Sequence, residues 1–250
     1  MIEGRDYDVA IRSTDGDVTR VPKLLAELIA LKPAVILTTD TALALAAKRA
    51  TKEIPIVGVL VAAPVEFGLV KSIAHPGGNF TGLLSSVGKL VPKQLELLQE
   101  VVPTATRIGV LFNASNPANS GGIPLLESDT ASKPLLKLVP VGVRVPADID
   151  TAFQAFAHDQ VETVLVFQDA LFSSNAKHIA DLALTARLPT MFGFREQVEA
   201  GGLMSYGLNV IYQFRRTAAF VEKILKGTSS RRFAGGDTTQ VGVGHQSQDR

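Results

Sequence analysis

The chain has 250 residues, with Lys+Arg 25 against Asp+Glu 24, a net charge of +1, 46% hydrophobic and 20% charged residues, and no cysteine. Such a chain buries a sizeable core, as one large domain or two lobes, and is not disordered. The charge balance speaks against a nucleic-acid partner, the lack of cysteine removes disulfides and thiolate chemistry, and no window approaches the roughly 18 apolar residues of a spanning helix.

Asp8 to Arg12 alternates as a strand does, and Ser13 to Asp17 is a polar turn. Thr19 is placed to cap the next helix, with Pro22 in its first turn and Leu24, Leu25, Leu28 and Ile29 at helical spacing. Val35 to Leu37 and Ile56 to Val61 are continuous apolar runs, the pattern of strands buried on both faces of a parallel sheet. Each ends in a short elbow, Thr38 to Thr41 or Ala62 to Pro64, after which a helix is expected. His75 to Asn79 is a turn cluster ahead of the strand Phe80 to Leu84. A helix from about Gly88 to Val101 carries Leu90, Leu95 and Leu98 on one face and stops before Pro103.

A second set follows. Arg107 to Phe112 is a strand, Asn113 to Gly122 a polar loop, and Leu125 to Ser132 a helix before the strand Leu138 to Val143. Pro146 opens a helix through Phe153 and Phe156, and Glu162 to Phe167 is a buried strand ending in the elbow Gln168-Asp169. Then come a helix from Asn175 to Ala186, a short strand Pro189 to Phe192, and a short helix Arg195 to Ala200. Leu203 to Ser205 leads to the elbow Tyr206-Gly207, and Val210 to Leu225 is the last good helix. Its Arg215-Arg216 pair reads as a solvated face. Two successive βα sets of about 100 residues predict the α/β class, as two doubly wound parallel-sheet lobes.

Ligands of open parallel sheets sit beyond the carboxyl ends of the strands, so the elbows are the candidate sites. Thr39, Asp40 and Thr41 open a helix, where hydroxyls and free amides suit a carboxylate and Asp40 suits an ammonium; N-capping is the other reading. Pro64 marks the second elbow. Asn113, Asn116 and the neighbouring Ser115 and Asn119 offer amides and hydroxyls to a polar solute, although Ser115 and Asn119 read better as turn formers. Asp169 stands on the same rim as a partner for a ligand ammonium. Phe192 and Phe194 are placed to wall a planar ligand, with core packing as the alternative for one of them. Ser205 and Tyr206 read as a ligand contact or a hinge. No catalytic or metal set appears: the four histidines lack ligand spacing, and no G-x-S-x-G, dinucleotide or phosphate-loop motif is present. No cofactor is expected.

Several of these segments, in this order, resemble the solute-binding proteins of ABC importers of the tryptophan/tyrosine type. They are Glu3-Gly4-Arg5, Leu25-Ala26-Glu27-Leu28, Ala44 to Thr51 with Ile54 to Val57, Gly68-Leu69-Val70, Pro76 to Gly82, Leu95 to Leu98 and Gly201 to Gly207. The resemblance implies a type I periplasmic-binding-protein fold, here incomplete at both ends. It further implies a small solute, such as an aromatic or branched amino acid, held between two lobes that close by a hinge. A membrane permease is the implied partner, the location is periplasmic, and the protein is a monomer rather than an enzyme. On this reading residues 1–103 form the N-terminal lobe without its first strand-helix unit. Residues 104–205 form the C-terminal lobe, and 206–227 are a crossover helix back to the first lobe. Residues 228–250 are expected to be a disordered tail out of frame, because another frame of Arg231 to Arg250 yields a crossover-like segment.

Two departures bear on function. Ala63 stands where the family carries an acidic residue before the proline, leaving Glu66 or Asp40 as substitutes. Met1 to Arg5 lacks the zones of a signal peptide, so the chain as written is expected to stay in the cytoplasm. A ligand-sensing regulatory domain of the same fold, and a truncated product without function, are the alternatives.

Overall fold

A computed structural model describes residues 1–84, 87–133, 135–227, 236–237 and 241–245. The chain divides into two compact units: 1–85 with 211–238, and 86–210 with 239–250. The boundary expected at residue 103 falls at 85. The physical reason is that the helix from residue 87 packs on the sheet of the second unit, through Val91, Leu95 and Leu98.

The first unit holds α1 (Val21–Ala30), β1 (Ile36–Thr38), α2 (Thr41–Ala50), β2 (Ile56–Val61) and β3 (Phe80–Leu84). A 3-10 turn, Val18–Arg20, precedes α1; its cap is Asp17, which accepts from Thr19 N, so Thr19 is not the cap. β1, β2 and β3 pair in parallel in that order. Ile36, Ile56, Val61 and Phe80 enclose one core with Ala44 and Ala47 of α2, and Leu25 and Ile29 of α1 pack against it. Small residues on α2 let that helix lie close on the sheet.

Two expectations fail in this unit. Asp8 to Arg12 forms no strand, and Val9 and Ile11 are exposed; among the described residues no neighbour offers it a ladder, and alternation alone does not satisfy a strand's amides. No helix follows Pro64 either. Leu60 and Ala63 both take left-handed backbone, at φ 58° and 44°, and β2 bulges between Gly58 and Val61. The chain then turns back, with Leu69 N and Val70 N donating to the Pro64 carbonyl.

The second unit holds α3 (Val87–Val101), β4 (Arg107–Asn113), α4 (Pro117–Thr130), β5 (Lys137–Val143), α5 (Asp148–His158) and β6 (Thr163–Val166). α6 (Ala170–Ser174), α7 (Ala176–Ala186), β7 (Thr190–Phe192), α8 (Arg195–Glu199) and β8 (Met204–Leu208) follow. The parallel strands lie in the order β8-β7-β6-β4-β5. The chain therefore reverses its winding between β4 and β6, which is the switch point of a doubly wound sheet. Both faces are apolar. Ile108 and Val110 of β4 with Leu165 of β6 meet Leu95 and Leu98 of α3. Leu111, Val164 and Val166 meet Ile149, Phe156 and Ile179 on the other side. This explains the unbroken apolar runs, and each side chain fully buried in this way contributes about 1.5–3 kcal/mol.

The polar stretch expected to be a loop is the first half of α4. Asn116 caps it by accepting from Ala118 N, and Pro117 supplies a preset φ at the first position. Gly122 is tolerated inside the helix because Phe167 lies where a Cβ would point, 3.1 Å away.

α9 (Val210–Leu225) enters the first unit from residue 211. The tail expected to carry no element has strand backbone at two places. β9 (Gly236–Asp237) pairs in parallel with β3, and β10 (Val241–His245) pairs antiparallel with β8. The rest of 228–250 lies outside the described residues.

Candidate functional site

The reversal between β4 and β6 brings two strand ends side by side, and the polar residues beyond them form one network. Asp169 follows β6, caps α6 and is 5% exposed. Its Oδ1 accepts from Asn113 Nδ2 at 2.8 Å and from Leu171 N at 2.9 Å, and its Oδ2 accepts from Asn116 Nδ2 at 2.7 Å. Each asparagine is oriented by a second bond. Asn113 Oδ1 accepts from Ser115 N, and Asn116 Oδ1 accepts from Ala118 N. Asn119 ties the strands together: its Oδ1 accepts from Asn113 N, and its Nδ2 donates to the Gln168 carbonyl.

All of Asp169's partners are neutral. Burial pushes its carboxyl above the ordinary carboxylate value, while the bonds from Asn113, Asn116 and Leu171 pull it down without prevailing. A carboxylate offers about four lone-pair positions, and three are occupied, which leaves one on Oδ2. Chemically, the arrangement is an oriented, largely desolvated hydrogen-bond acceptor.

The first unit's rim is built differently. Asp40 is half-buried and caps α2, its Oδ1 accepting from Leu43 N at 2.8 Å. Thr41 is buried, and its hydroxyl accepts from Ala62 N at 2.9 Å, which joins the two elbows. Pro64 is buried, whereas Thr39 is exposed. Thr38 Oγ1 is enclosed without a hydrogen-bond partner.

Of the remaining candidates, Phe192 is fully enclosed in the core with Ile179 and Leu171, so its ring packs there and does not wall a ligand. Phe194 is 8% exposed and opens α8, its N–H donating to Gln197 Oε1. Ser205 is buried in β8 with no partner for its hydroxyl. Tyr206 is half-buried and lies within β8, not in an elbow, its carbonyl accepting from Gln94 Nε2. Asn119, read as a turn former, is a structural part of the Asp169 network. The readable signal was Asn116-Pro117, a cap followed by a first-turn proline, which sets Asn119 on the helix facing β4. Among the described residues no group of three or more His, Cys, Asp or Glu is placed to hold a metal, and no helix is long and apolar enough to cross a membrane.

A family model described as ABC transporter substrate binding protein matches residues 2–235. The tyrosine-binding protein of Clostridioides difficile (strain R20291) is 26% identical over 227 residues. The match takes in 91% of this chain but 65% of that protein, so the chain spans less than two thirds of this relative's length. A crystal structure of a conserved domain protein from Vibrio cholerae o1 biovar eltor has a TM-score of 0.84 at 28% identity, covering 96% of this chain and 80% of that one. An ABC domain in complex with L-Trp from Streptococcus pneumonia has a TM-score of 0.81 at 21% identity, covering 94% and 81%, a likeness of fold. The architecture is that of type I periplasmic binding proteins.

Proposed function

Because this chain belongs to the ABC transporter substrate-binding protein family, whose members bind and do not catalyse, we propose that it serves as the extracytoplasmic solute receptor of an importer. It acts as a monomer that hands its solute to a membrane permease. The solute is an α-amino acid with an aromatic or branched side chain.

One observation carries this reading: the buried Asp169 carboxylate, held by three neutral donors and with one acceptor position unused. A primary ammonium completes that set. Its charge offsets the desolvation that burial imposes on the carboxylate, and the fixed asparagines spare the site any reordering on binding. The tyrosine-binding relative, alike over most of this chain, supports an aromatic amino acid as the first to test.

Calorimetric titration with L-tyrosine, L-tryptophan and L-leucine, alongside thermal melting, tests the proposal. At least one binds and raises the melting temperature, because binding to the native state stabilises it by mass action. Tyramine, which keeps the ammonium, retains part of the affinity; 3-(4-hydroxyphenyl)propionate, which lacks it, does not. No heat and no shift with any of these compounds would reject the reading.

A further inference from the structure

Gln168, beside Asp169 on the same rim, is used by none of the contacts described above except through its backbone carbonyl. Its side chain is half-buried and lies across the carboxyl ends of the next two strands. Nε2 donates to the Gly193 carbonyl, just past β7, at 2.8 Å. A Cβ at Gly193 would collide with Gln168 Cγ, and one at Gly207 in β8 would collide with the Gly193 carbonyl and with Gln168 Nε2. Both positions are therefore glycine in a place that the glutamine side chain occupies. The amide orientation is chemically fixed, since a carbonyl oxygen faces the NH2 group and not another oxygen. The opposite atom, Oε1, accepts no hydrogen bond among the described residues.

We infer that Gln168 is a specificity-determining residue, whose Oε1 accepts a hydrogen bond from a neutral donor on the solute. The inference rests on the amino-acid reading of the Asp169 site and deepens it. A neutral amide oxygen does not compensate a second cation, so the group it selects is a phenol hydroxyl or an indole N–H. Held by Gly193 and backed by two glycines, the acceptor loses little freedom on binding. A solute lacking the donor leaves Oε1 desolvated and unpaired, which is how a polar group in a site rejects a close analogue.

The test compares L-tyrosine with L-phenylalanine, which differ by one hydroxyl, in calorimetric titrations of the full chain. The wild-type protein binds L-tyrosine roughly tenfold more tightly, the scale of one hydrogen bond to a neutral group. Gln168→Met keeps the length of the side chain without the acceptor, and the ratio falls toward one. Gly193→Ala displaces the side chain while leaving Asp169 in place, and it lowers the ratio as well; melting curves establish that each variant folds. A ratio unchanged in Gln168→Met and Gly193→Ala, or a wild-type ratio near one, overturns the role of Gln168 and leaves the amino-acid reading standing. Failure of the wild-type protein to bind either amino acid overturns the role of Gln168, and failure with L-tryptophan and L-leucine as well overturns both.

Discussion

At the carboxyl edge of the second unit's sheet, Asp169 draws bonds from two other side chains as well as from backbone; on the first unit's rim, Asp40 and Thr41 accept from the backbone amides of Leu43 and Ala62. Asp169 and Asp40 occupy the same kind of position, each the N-cap of the helix that follows a parallel strand. Asp40 is half-buried and caps in reach of water. Asp169 is buried, and its carboxylate draws on Asn113 and Asn116 as well as on the helix amide. Burial turns the same local chemistry from a helix signal into a prepared acceptor. The asparagines are the visible cost of that burial, because an enclosed charge without donors is far less stable than one held by several.

The largest effect expected from this difference is at Asp169 itself. Asp169→Asn removes the charge and turns an NH2 group toward Asn116, so affinity for an amino acid falls by a few kcal/mol, about 10²-fold or more, in calorimetric titration. Asp169→Ala leaves the Asn113, Asn116 and Leu171 donors without their acceptor and lowers unfolding free energy by about 1–3 kcal/mol or more in urea melts. Loss of stability without loss of affinity would make the network a structural knot and remove the contrast between the two rims.

Asn116→Ala sharpens the comparison from the donor side. It deletes the cap of α4 and one bond to Asp169 together. The cap alone is worth about 0.5–2 kcal/mol, to be read in the same urea melts. Asn116→Asp keeps the cap but sets a second carboxylate against the first, so stability falls further at neutral pH than at acid pH.

Burial raises the Asp169 value in the folded state, so the folded protein binds that proton more tightly than the unfolded chain does. The favourable contribution is therefore fully present below the unfolded carboxyl value, and it is lost as pH rises to the raised folded value. Asp169→Asn lacks this slope, so the stability difference moves in favour of the variant as pH climbs through that window. Affinity for an amino acid runs the other way, increasing as Asp169 ionises. Melts and titrations of both proteins across the window check the two signs.

Much of the architecture was legible because burial on both faces leaves a plain mark. Ile108 to Leu111 and Thr163 to Val166 read as strands since Phe156 and Ile179 cover one side and Leu95 and Leu98 the other. Val9 and Ile11 show where pattern fails: alternation supplies a face but not a neighbouring strand. The first half of α4 was missed because Asn, Ser and two glycines look like a loop, and the ring of Phe167 that fills the space beside Gly122 is a tertiary fact. Within the site, strand ends pointed to Asp169, Asn113 and Asn116 by position alone. That Asn119 binds two strands, that Phe192 is sealed in the core and that Gln168 lies over Gly193 and Gly207 depends on how β4, β6, β7 and β8 stand side by side. None of those adjacencies is encoded in local sequence.

The smallest expected effect is at Asp40, and it separates capping from recognition on the first unit's rim. Asparagine caps a helix nearly as well as aspartate, so Asp40→Asn preserves the acceptor for Leu43 N and changes the cap's contribution to stability by no more than a few tenths of a kcal/mol. Asp40→Ala removes the acceptor and costs about 1 kcal/mol, which confirms in melting experiments that the cap was in place. If charge recognition belongs to the second unit, amino-acid affinity in Asp40→Asn stays within about twofold of wild type, a change below 0.5 kcal/mol. A tenfold loss in that variant, with stability held, would place a ligand charge contact on Asp40 as well. The contrast between the two rims would then reduce to their different burial and would no longer mark a division of roles.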